Sequence, residues 1–292
     1  MHEDPTDESS PIEKHVFRIL RHQLLGKMLE IVLTPVDITV ESEVQVMSAP
    51  PKADLLLLRR NGRRWSKEQR KLLPDGIRDR QARHHLLECK FSESLNADAL
   101  QQALGYDYFY RQTQRIREAE LQTYVVSAKT PQTTLLGNLG YRAIEQPGVY
   151  VTTLDVMQRV VVLVLNELRD EPQNEFLRLF ASRKLVRQQT IDHVFQQPAG
   201  ELPEPLLAVI FGLQRLYQME GTAMNQEMTV DDVMKMGRDL RKQVLASASP
   251  EEHLASMDLE KLLAGMTPEE MVILRERLDA LLTKQSADKP QH

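Results

Sequence analysis

The chain has 292 residues, of which 41% are hydrophobic and 27% charged, and its net charge is −5; these values are typical of a globular protein with room for two domains. Its only cysteine, Cys89, excludes an internal disulfide and a multi-cysteine zinc site and fits a reducing cytoplasm. The longest apolar run near the middle, residues 160–165, is too short to span a membrane, and the acidic N-terminus resembles neither a secretory signal nor a transit peptide. We therefore expect a cytoplasmic protein that does not enter membranes.

The N-terminal part of the sequence predicts a helix and then a strand. Residues 1–9 are acidic and almost free of apolar groups, which indicates disorder. Ser10 can cap a helix, and Glu13 lies where it can close a capping box. Apolar residues at helical spacing continue this helix to an end between residues 25 and 33. Residues 36–46 alternate between apolar and polar, which predicts one half-buried strand or two short ones.

Two apolar runs, at residues 54–58 and 85–91, predict buried strands. Between them, capping signals predict a short helix over residues 66–73. Apolar residues at helical spacing predict a longer helix over residues 97–117, and a further strand should occupy residues 121–128. A short helix after Pro131 and two small strands near 141–144 and 148–151 complete this part of the chain.

From residue 155 onward the pattern is helical almost throughout. The clearest predicted helices are 156–168, 175–185, 206–219 and 230–245. From residue 249 a nine-residue unit repeats three times, and each copy begins with a helix-capping residue. Such short units need a surface to pack on, either the helical region or a second copy of the chain, so a homo-oligomer formed through the C-terminal helices is one expectation. The predicted regions are a domain over 10–153, a helical region over 154–248, a repeat tail over 249–285 and a disordered end over 286–292.

The residues that carry chemistry lie on the two buried strands. Residues i and i+2 of a strand share a face, so Glu88 and Lys90 should project side by side while Cys89 points into the core. Asp54 opens the preceding strand and can meet Glu88. Two carboxylates and the backbone carbonyl of Cys89 would form an oxygen site suited to Mg²⁺ or Mn²⁺. Such an ion polarises a phosphate and activates water, and Lys90 could orient that water and offset the charge that builds up on the phosphate.

Asp54, followed by Glu88-Cys89-Lys90 in an αβββαβ order, resembles the PD-(D/E)XK nuclease superfamily. Gln102 and Tyr106 on the next helix have the QxxxY form of its exonuclease-like branch. Residues 54–57 (DLLL) and 103–110 (ALGYDYFY) also resemble the recombination-promoting nuclease and transposase-related proteins of that superfamily.

The resemblance covers about half of the chain, roughly residues 10–153. It implies an α/β restriction-endonuclease-like core followed by an all-helical C-terminal region, and a metal-dependent nuclease that acts on DNA. It also implies that Asp54, Glu88, Lys90, Gln102 and Tyr106 form the catalytic site. The family's acid on the first helix would correspond to Glu13. Ala53 departs from the pattern, because it stands where the motif's name places a proline.

Other interpretations of the same residues remain open. Glu88 and Lys90 could be an exposed cross-strand pair, Asp54 could cap a strand, and Gln102 and Tyr106 could be ordinary helix-face residues. Residues 59–85 carry ten Arg and Lys against three acidic residues, which indicates either DNA contact or a solvated loop. The nuclease fold could also be catalytically inactive and serve as a binding or assembly module.

Overall fold

The computed structural model describes residues 11–42, 55–62, 64–197, 202–219 and 228–247. The predicted disordered ends and the repeat tail lie outside these residues. The chain divides into one unit of residues 1–196 and 204–242, which contains all the described strands, and a second unit of residues 197–203 and 243–292. In the second unit, the last turn of a helix at 243–247 is the main described part. No described helix combines the length and the apolar character that a membrane crossing requires.

The described elements alternate between helices and strands in the first half of the chain. The strands are β1 (Ile38–Ser42), β2 (Leu55–Arg60), β3 (His84–Lys90), β4 (Leu121–Ser127), β5 (Tyr141–Ala143), β6 (Val149–Thr152) and β7 (Val160–Val164). The α-helices are α1 (Pro11–Leu33), α2 (Lys67–Leu72), α3 (Ala97–Gln114), α4 (Thr133–Asn138), α5 (Glu175–Arg178), α6 (Lys184–Gln196), α7 (Glu204–Gln218) and α8 (Val230–Ser247). Four short 3₁₀ turns lie at Thr34–Val36, Glu118–Glu120, Val156–Arg159 and Pro172–Asn174.

The strands form one seven-stranded mixed sheet in the order β1-β2-β3-β4-β7-β6-β5. Its centre is parallel, since β4 pairs in parallel with both β3 and β7, whereas the outer pairs are antiparallel. Parallel strands are covered on both faces, and every residue of β7 is indeed buried. The mixed α/β class that the sequence predicts is therefore confirmed.

Helix α3 covers one face of the sheet centre. Leu100 and Ala103 of α3 pack with Val125 of β4 and with alternate valines of β7. Further along the helix, Tyr106 and Tyr110 pack with Leu57, Leu86 and Leu121. Because these contacts come from both halves of the helix, they fix its position across β3 and β4.

Local sequence signals place most of these elements correctly. The predicted order of helix, three strands, helix and strand is present as α1, β1, β2, β3, α3 and β4, with α2 inside the connection between β2 and β3. Ser66 caps α2 in a full capping box with Gln69, as its sequence indicates. The strand predicted from residue 36 begins only at Ile38, because a 3₁₀ turn and a left-handed Asp37 (φ 61°) precede it. Its predicted continuation beyond Ser42 lies outside the described residues.

The helix predicted over residues 156–168 is wrong. A 3₁₀ turn at Val156–Arg159 leads into β7, which lies at the centre of the sheet beside β4. By periodicity alone, a short, continuous apolar run fits a buried strand and a buried helix equally well. Its valines are β-branched, which favours the strand. The sheet therefore continues past residue 153, where the sequence predicted that the domain would end. The α-helices α5 to α8 follow β7.

The helix predicted over residues 175–185 is also interrupted, because α5 ends at Arg178 and α6 begins at Lys184. Distant groups bind the intervening backbone. Arg21 Nη2 donates to Phe180 O at 2.7 Å, and Tyr217 Oη donates to Leu179 O at 2.8 Å. The amide of Ser182 donates to Ala128 O at 3.1 Å. These contacts use backbone groups that a continuous helix would have bonded internally.

Candidate active site

Strand β3 holds the candidate site at its C-terminal end. Glu88 is paired with Leu55 of β2 on one side and with Val125 of β4 on the other. Its side chain is almost fully buried, with the residue 3% exposed. The Lys90 ammonium lies 2.9 Å from Glu88 Oε1, so the two side chains project side by side as predicted. The side chain of Cys89, between them, is buried.

Helix α3 continues this line of polar contacts. Lys90 Nζ donates to Gln102 Oε1 at 3.2 Å, and Gln102 Nε2 donates to Tyr106 Oη at 2.5 Å. We call the four residues Glu88, Lys90, Gln102 and Tyr106 the polar chain. It joins a buried carboxylate on β3 to the solvent face of α3, where Gln102 is exposed. All four were selected from the sequence, and the structure brings them into one contiguous set.

Capping and aromatic packing hold α3 in the position that the polar chain requires. Asn96 caps the helix by accepting a hydrogen bond from the amide of Ala99 at 2.8 Å. Tyr110, one turn beyond Tyr106, has its hydroxyl 2.8 Å from His84 Nδ1 at the start of β3. Burial raises the pKa of Tyr110 to about 12, so this hydroxyl keeps its proton at neutral pH.

A second polar cluster, around Asp107, was not selected from the sequence. Its almost fully buried carboxylate accepts from Arg111 Nε at 2.7 Å and from Thr123 Oγ1 at 3.0 Å, and Arg159 Nη1 lies 3.7 Å away. These contacts tie α3 to β4 and to the turn before β7. The i, i+4 spacing of Asp107 and Arg111 is a sequence signal for the first contact alone.

Two of the predicted metal ligands, Asp54 and Glu13, have side chains outside the described part of the structure. Asp54 lies outside the described residues, although Leu55, the next residue in the chain, is the partner of Glu88 in the sheet. Glu13 belongs to α1, but its side chain lies outside the described part of the structure. Within the described ranges, no group of three or more His, Cys, Asp or Glu side chains could hold a metal ion. The predicted ligands within these ranges are the Glu88 carboxylate and the Cys89 carbonyl.

The chemistry of Glu88 nevertheless suits a cation. Its carboxylate already has the Lys90 ammonium against one oxygen in a nearly buried setting. A positive partner stabilises a buried carboxylate, and a divalent ion bound by oxygen ligands would stabilise it in the same way. The environment of Glu88 is therefore compatible with Mg²⁺ or Mn²⁺.

The basic connection between β2 and β3 has structural as well as exposed arginines. Arg60 is buried, with its guanidinium 5.2 Å from the Trp65 ring centroid and Nη2 donating to Gln81 O at 2.8 Å. Burial and the nearby Arg83 lower the pKa of Arg60. Arg59 pairs with Glu41 on β1 at 3.2 Å. Exposed basic residues in the same connection are Arg64, Lys67, Arg70 and Lys71.

The two histidines that enter β3 are core residues. His85 lies between the Tyr124 hydroxyl and the Ala82 carbonyl, with each ring nitrogen 3.0 Å from its partner. Burial lowers the pKa of His85 to about 3, so the imidazole is neutral at physiological pH. Both histidines thus serve packing, as expected for residues at the entry of a strand.

Comparison of the chain with models of protein families, with curated proteins and with solved structures gives no match. Its function is therefore inferred from its residues and their geometry.

Proposed function

We propose that the chain is a divalent-metal-dependent nuclease of the PD-(D/E)XK type that hydrolyses phosphodiester bonds in DNA. The polar chain is the observation that carries this proposal. The sequence selects Glu88 and Lys90 because they share one face of a strand. It selects Gln102 and Tyr106 because they have the QxxxY form on the next helix. Their hydrogen-bonded contact across β3 and α3 is what a single site built from both motifs requires.

The fold around the polar chain supports the same proposal. The order α1, β1, β2, β3, α3, β4 is the αβββαβ order that the resemblance implies. The antiparallel pairing of β2 with β3 sets Leu55, the neighbour of Asp54 in the chain, opposite Glu88. In this proposal the six elements form a restriction-endonuclease-like core, and β5, β6 and β7 extend its sheet.

Asp54, Glu88 and the backbone carbonyl of Cys89 would hold the metal, with Glu13 as the further ligand that the resemblance offers. The bound ion would polarise the phosphate and lower the pKa of a coordinated water. Glu88 lies on a strand that is paired on both sides. Its carboxylate therefore has little freedom to leave the position it occupies.

Lys90 would act on the phosphate. Its ammonium can orient the attacking water and offset the negative charge that develops in the transition state. Gln102 is a positioning residue, since its amide oxygen holds the ammonium at 3.2 Å. Tyr106 is positioned one step further away, because its hydroxyl accepts from the Gln102 amide and so fixes which end of that amide faces Lys90.

The preference for DNA is supported by the exposed residues of the basic connection, Arg64, Lys67 and Arg70. This connection joins the end of β2 to the start of β3, at the opposite end of β3 from Glu88. Its positive side chains can neutralise phosphates of a bound strand that extends beyond the site and release counterions. Replacing these residues with Ala should flatten the dependence of DNA binding on salt concentration. An unchanged dependence of DNA binding on salt concentration would show that these residues do not contact DNA and are only part of the solvated surface.

The proposal is tested by separating metal binding from cleavage. Isothermal titration with Mn²⁺ and a cleavage assay on linear, circular and single-stranded DNA should be run on the same proteins. Asp54→Ala and Glu88→Ala should lose both metal affinity and cleavage. Lys90→Ala should keep or tighten its metal affinity, because a positive neighbour of the ion is removed, while cleavage falls by roughly 10²-fold or more because a transition-state contact is lost.

Each alternative outcome has a distinct meaning. Wild-type protein that binds DNA but cleaves none of the three forms with either Mg²⁺ or Mn²⁺ would show a binding or assembly module. Loss of metal affinity in Lys90→Ala, with the fold intact by circular dichroism, would contradict the role assigned to Lys90. Metal affinity retained in Glu88→Ala would remove Glu88 from the metal site.

A further inference from the structure

The solvent face of α3 has an unusual composition. Its exposed stripe begins with Gln101 and Gln102 and continues to Tyr108 and Phe109, two large aromatic side chains that are 53% and 42% exposed. Their rings contact each other edge to face, with centroids 5.5 Å apart. Among the described exposed residues they are the only aromatic neighbours in the sequence. Exposed aromatic side chains of this kind mark a binding surface, because water solvates them poorly.

Gly105 lies between Gln102 of the polar chain and the aromatic pair in the sequence of α3. No described atom lies within 4 Å of the position that a β-carbon would occupy on Gly105. Neither packing nor a special backbone angle therefore requires glycine here, although glycine weakens a helix interior. The missing side chain leaves an open approach to the helix backbone between Gln102 and Phe109.

The C-terminal end of α3 is rich in arginine. Residues 111–117 contain three arginines and no acid, and the last of them, Arg117, is 88% exposed. Arg117 also lines an open cleft of about 510 Å³ together with Arg60 and Arg83. The acid in that lining, Glu120, is paired with Arg117 at 3.2 Å. The cleft therefore keeps an excess of positive charge and suits an anion such as a phosphate group.

Helix α3 runs from the polar chain towards the arginine-lined cleft. At 1.5 Å per residue, Phe109 lies about 10 Å from Gln102 along the axis, and the helix ends at Gln114, roughly 18 Å from Gln102, three residues before Arg117. At the roughly 3.4 Å spacing of stacked nucleotides, the first distance corresponds to about three nucleotides. A DNA strand with its scissile phosphate at the polar chain would thus pass Gly105, reach the aromatic pair and end at the cleft lined by Arg83 and Arg117.

We propose that the solvent face of α3 is a track for single-stranded DNA, in which Tyr108 and Phe109 stack unpaired bases and the Arg83–Arg117 cleft binds backbone phosphates. This proposal rests on the proposed nuclease function for the identity of the ligand. Stacking distinguishes single strands, because bases within a duplex are already stacked on each other and cannot reach the rings. The track therefore makes a single strand, or the frayed end of a duplex, the preferred substrate.

The test is binding of labelled oligonucleotides in EDTA, measured by fluorescence anisotropy, so that cleavage plays no part. The wild-type protein should bind a single strand more tightly than the duplex of the same sequence. Tyr108→Ala/Phe109→Ala should weaken single-strand binding by on the order of tenfold or more and leave duplex binding nearly unchanged. The matched control is Leu185→Ala on α6, which removes a 68% exposed side chain elsewhere and should change neither affinity.

Two further variants test the remaining parts of the track. Leucine favours a helix, and its side chain would occupy open space at position 105, so Gly105→Leu should fold normally. The added side chain would block the approach to the helix backbone, so this variant should bind a single strand more weakly. Arg83→Ala/Arg117→Ala should reduce the slope of log affinity against log salt by about 1.4, which corresponds to two phosphate contacts on a single strand. Arg142→Ala, exposed on β5, is the control for loss of an arginine remote from the cleft.

Equal affinity of wild type and Tyr108→Ala/Phe109→Ala for the single strand would overturn the track. A concentration-dependent mass in light scattering that this double variant abolishes would assign the aromatic pair to contact between two copies of the chain, and would also overturn it. Failure of the nuclease proposal looks different: single-strand binding would depend on the aromatic pair, yet no DNA would be cleaved with Mn²⁺. If DNA is cleaved with Mn²⁺ but Tyr108→Ala/Phe109→Ala binds the single strand as tightly as the wild type, the nuclease proposal stands and the proposed single-strand track is wrong.

Discussion

Replacing Lys90 with methionine should make the stability of the protein depend more strongly on a divalent metal than that of the wild type. In the structure the Lys90 ammonium lies 2.9 Å from Glu88 Oε1, and the two side chains are 12% and 4% exposed. Methionine keeps the length of the side chain and removes its charge. The variant therefore leaves a nearly buried carboxylate without this cation, while the packing around the strand changes little.

The expected cost follows from the burial of the pair. Removing one partner of a buried ion pair destabilises a protein by roughly 3–5 kcal/mol, because the remaining charge stays in a poorly solvated place. We expect a loss of about 3 kcal/mol without metal. Mn²⁺ at about 100 times its dissociation constant should restore roughly 2.7 kcal/mol. The affinity for Mn²⁺ should also rise by on the order of tenfold, since a positive neighbour of the ion has been removed.

The assay is urea denaturation with and without Mn²⁺, followed through the fluorescence of Trp65. This residue is the single tryptophan of the chain and is buried, with its indole nitrogen donating to Arg80 O at 2.9 Å. Glu88→Gln/Lys90→Met is the control, and it should be less destabilised than Lys90→Met because neither residue of the pair then carries a charge. A Lys90→Met protein as stable as the wild type, with no response to Mn²⁺, would refute the reasoning.

Three other changes should alter stability in calculable ways. Gly105→Ala should raise the unfolding free energy by about 0.5–1 kcal/mol, because alanine favours a helix and has open space here; a lower melting temperature in calorimetry would contradict the geometry. Asp107→Ala should cost about 3 kcal/mol in urea denaturation because it leaves Arg111 without its buried carboxylate, whereas Glu30→Ala, from an exposed pair, should cost less than about 0.5 kcal/mol. Because burial lowers the pKa of His85 to about 3, its contribution to stability is complete above pH 6.5 and is lost at about 1.4 kcal/mol per pH unit as the pH falls towards 3; His85→Gln should show a shallower decline between pH 7 and 5, and an equal decline would refute the assignment.

Elements that depend on local signals could be predicted from the sequence. The capping box of Ser66 and Gln69 marks the start of α2 because both partners lie within one turn. Alternation along β3 places Glu88 and Lys90 on one face for the same reason, since a strand repeats every two residues. The contact between Lys90 and Gln102 could be expected only through the resemblance, because it depends on how α3 crosses the sheet.

Elements that depend on distant partners could not be predicted from local patterns. The strand β7 is defined by its pairing with β4, in which Val162 lies opposite Val125, and an isolated apolar run carries no information about that partner. The interruption between α5 and α6 likewise depends on Arg21, which lies 159 residues before the carbonyl of Phe180 that it binds. Between α5 and α6 the tertiary contacts outweigh the local helical preference, whereas in β7 they select the strand that its valines favour.

The most direct test of the central claim is cleavage of single-stranded DNA in the presence of Mn²⁺ by the wild-type protein and by Glu88→Gln. Glutamine keeps the shape of the side chain and removes the charge that a metal requires. If the polar chain is the active site, the wild-type protein should release shortened fragments only when Mn²⁺ is present. Glu88→Gln, shown to be folded by its Trp65 fluorescence, should release none. Cleavage by Glu88→Gln at the wild-type rate would contradict the claim that Glu88 forms the metal site.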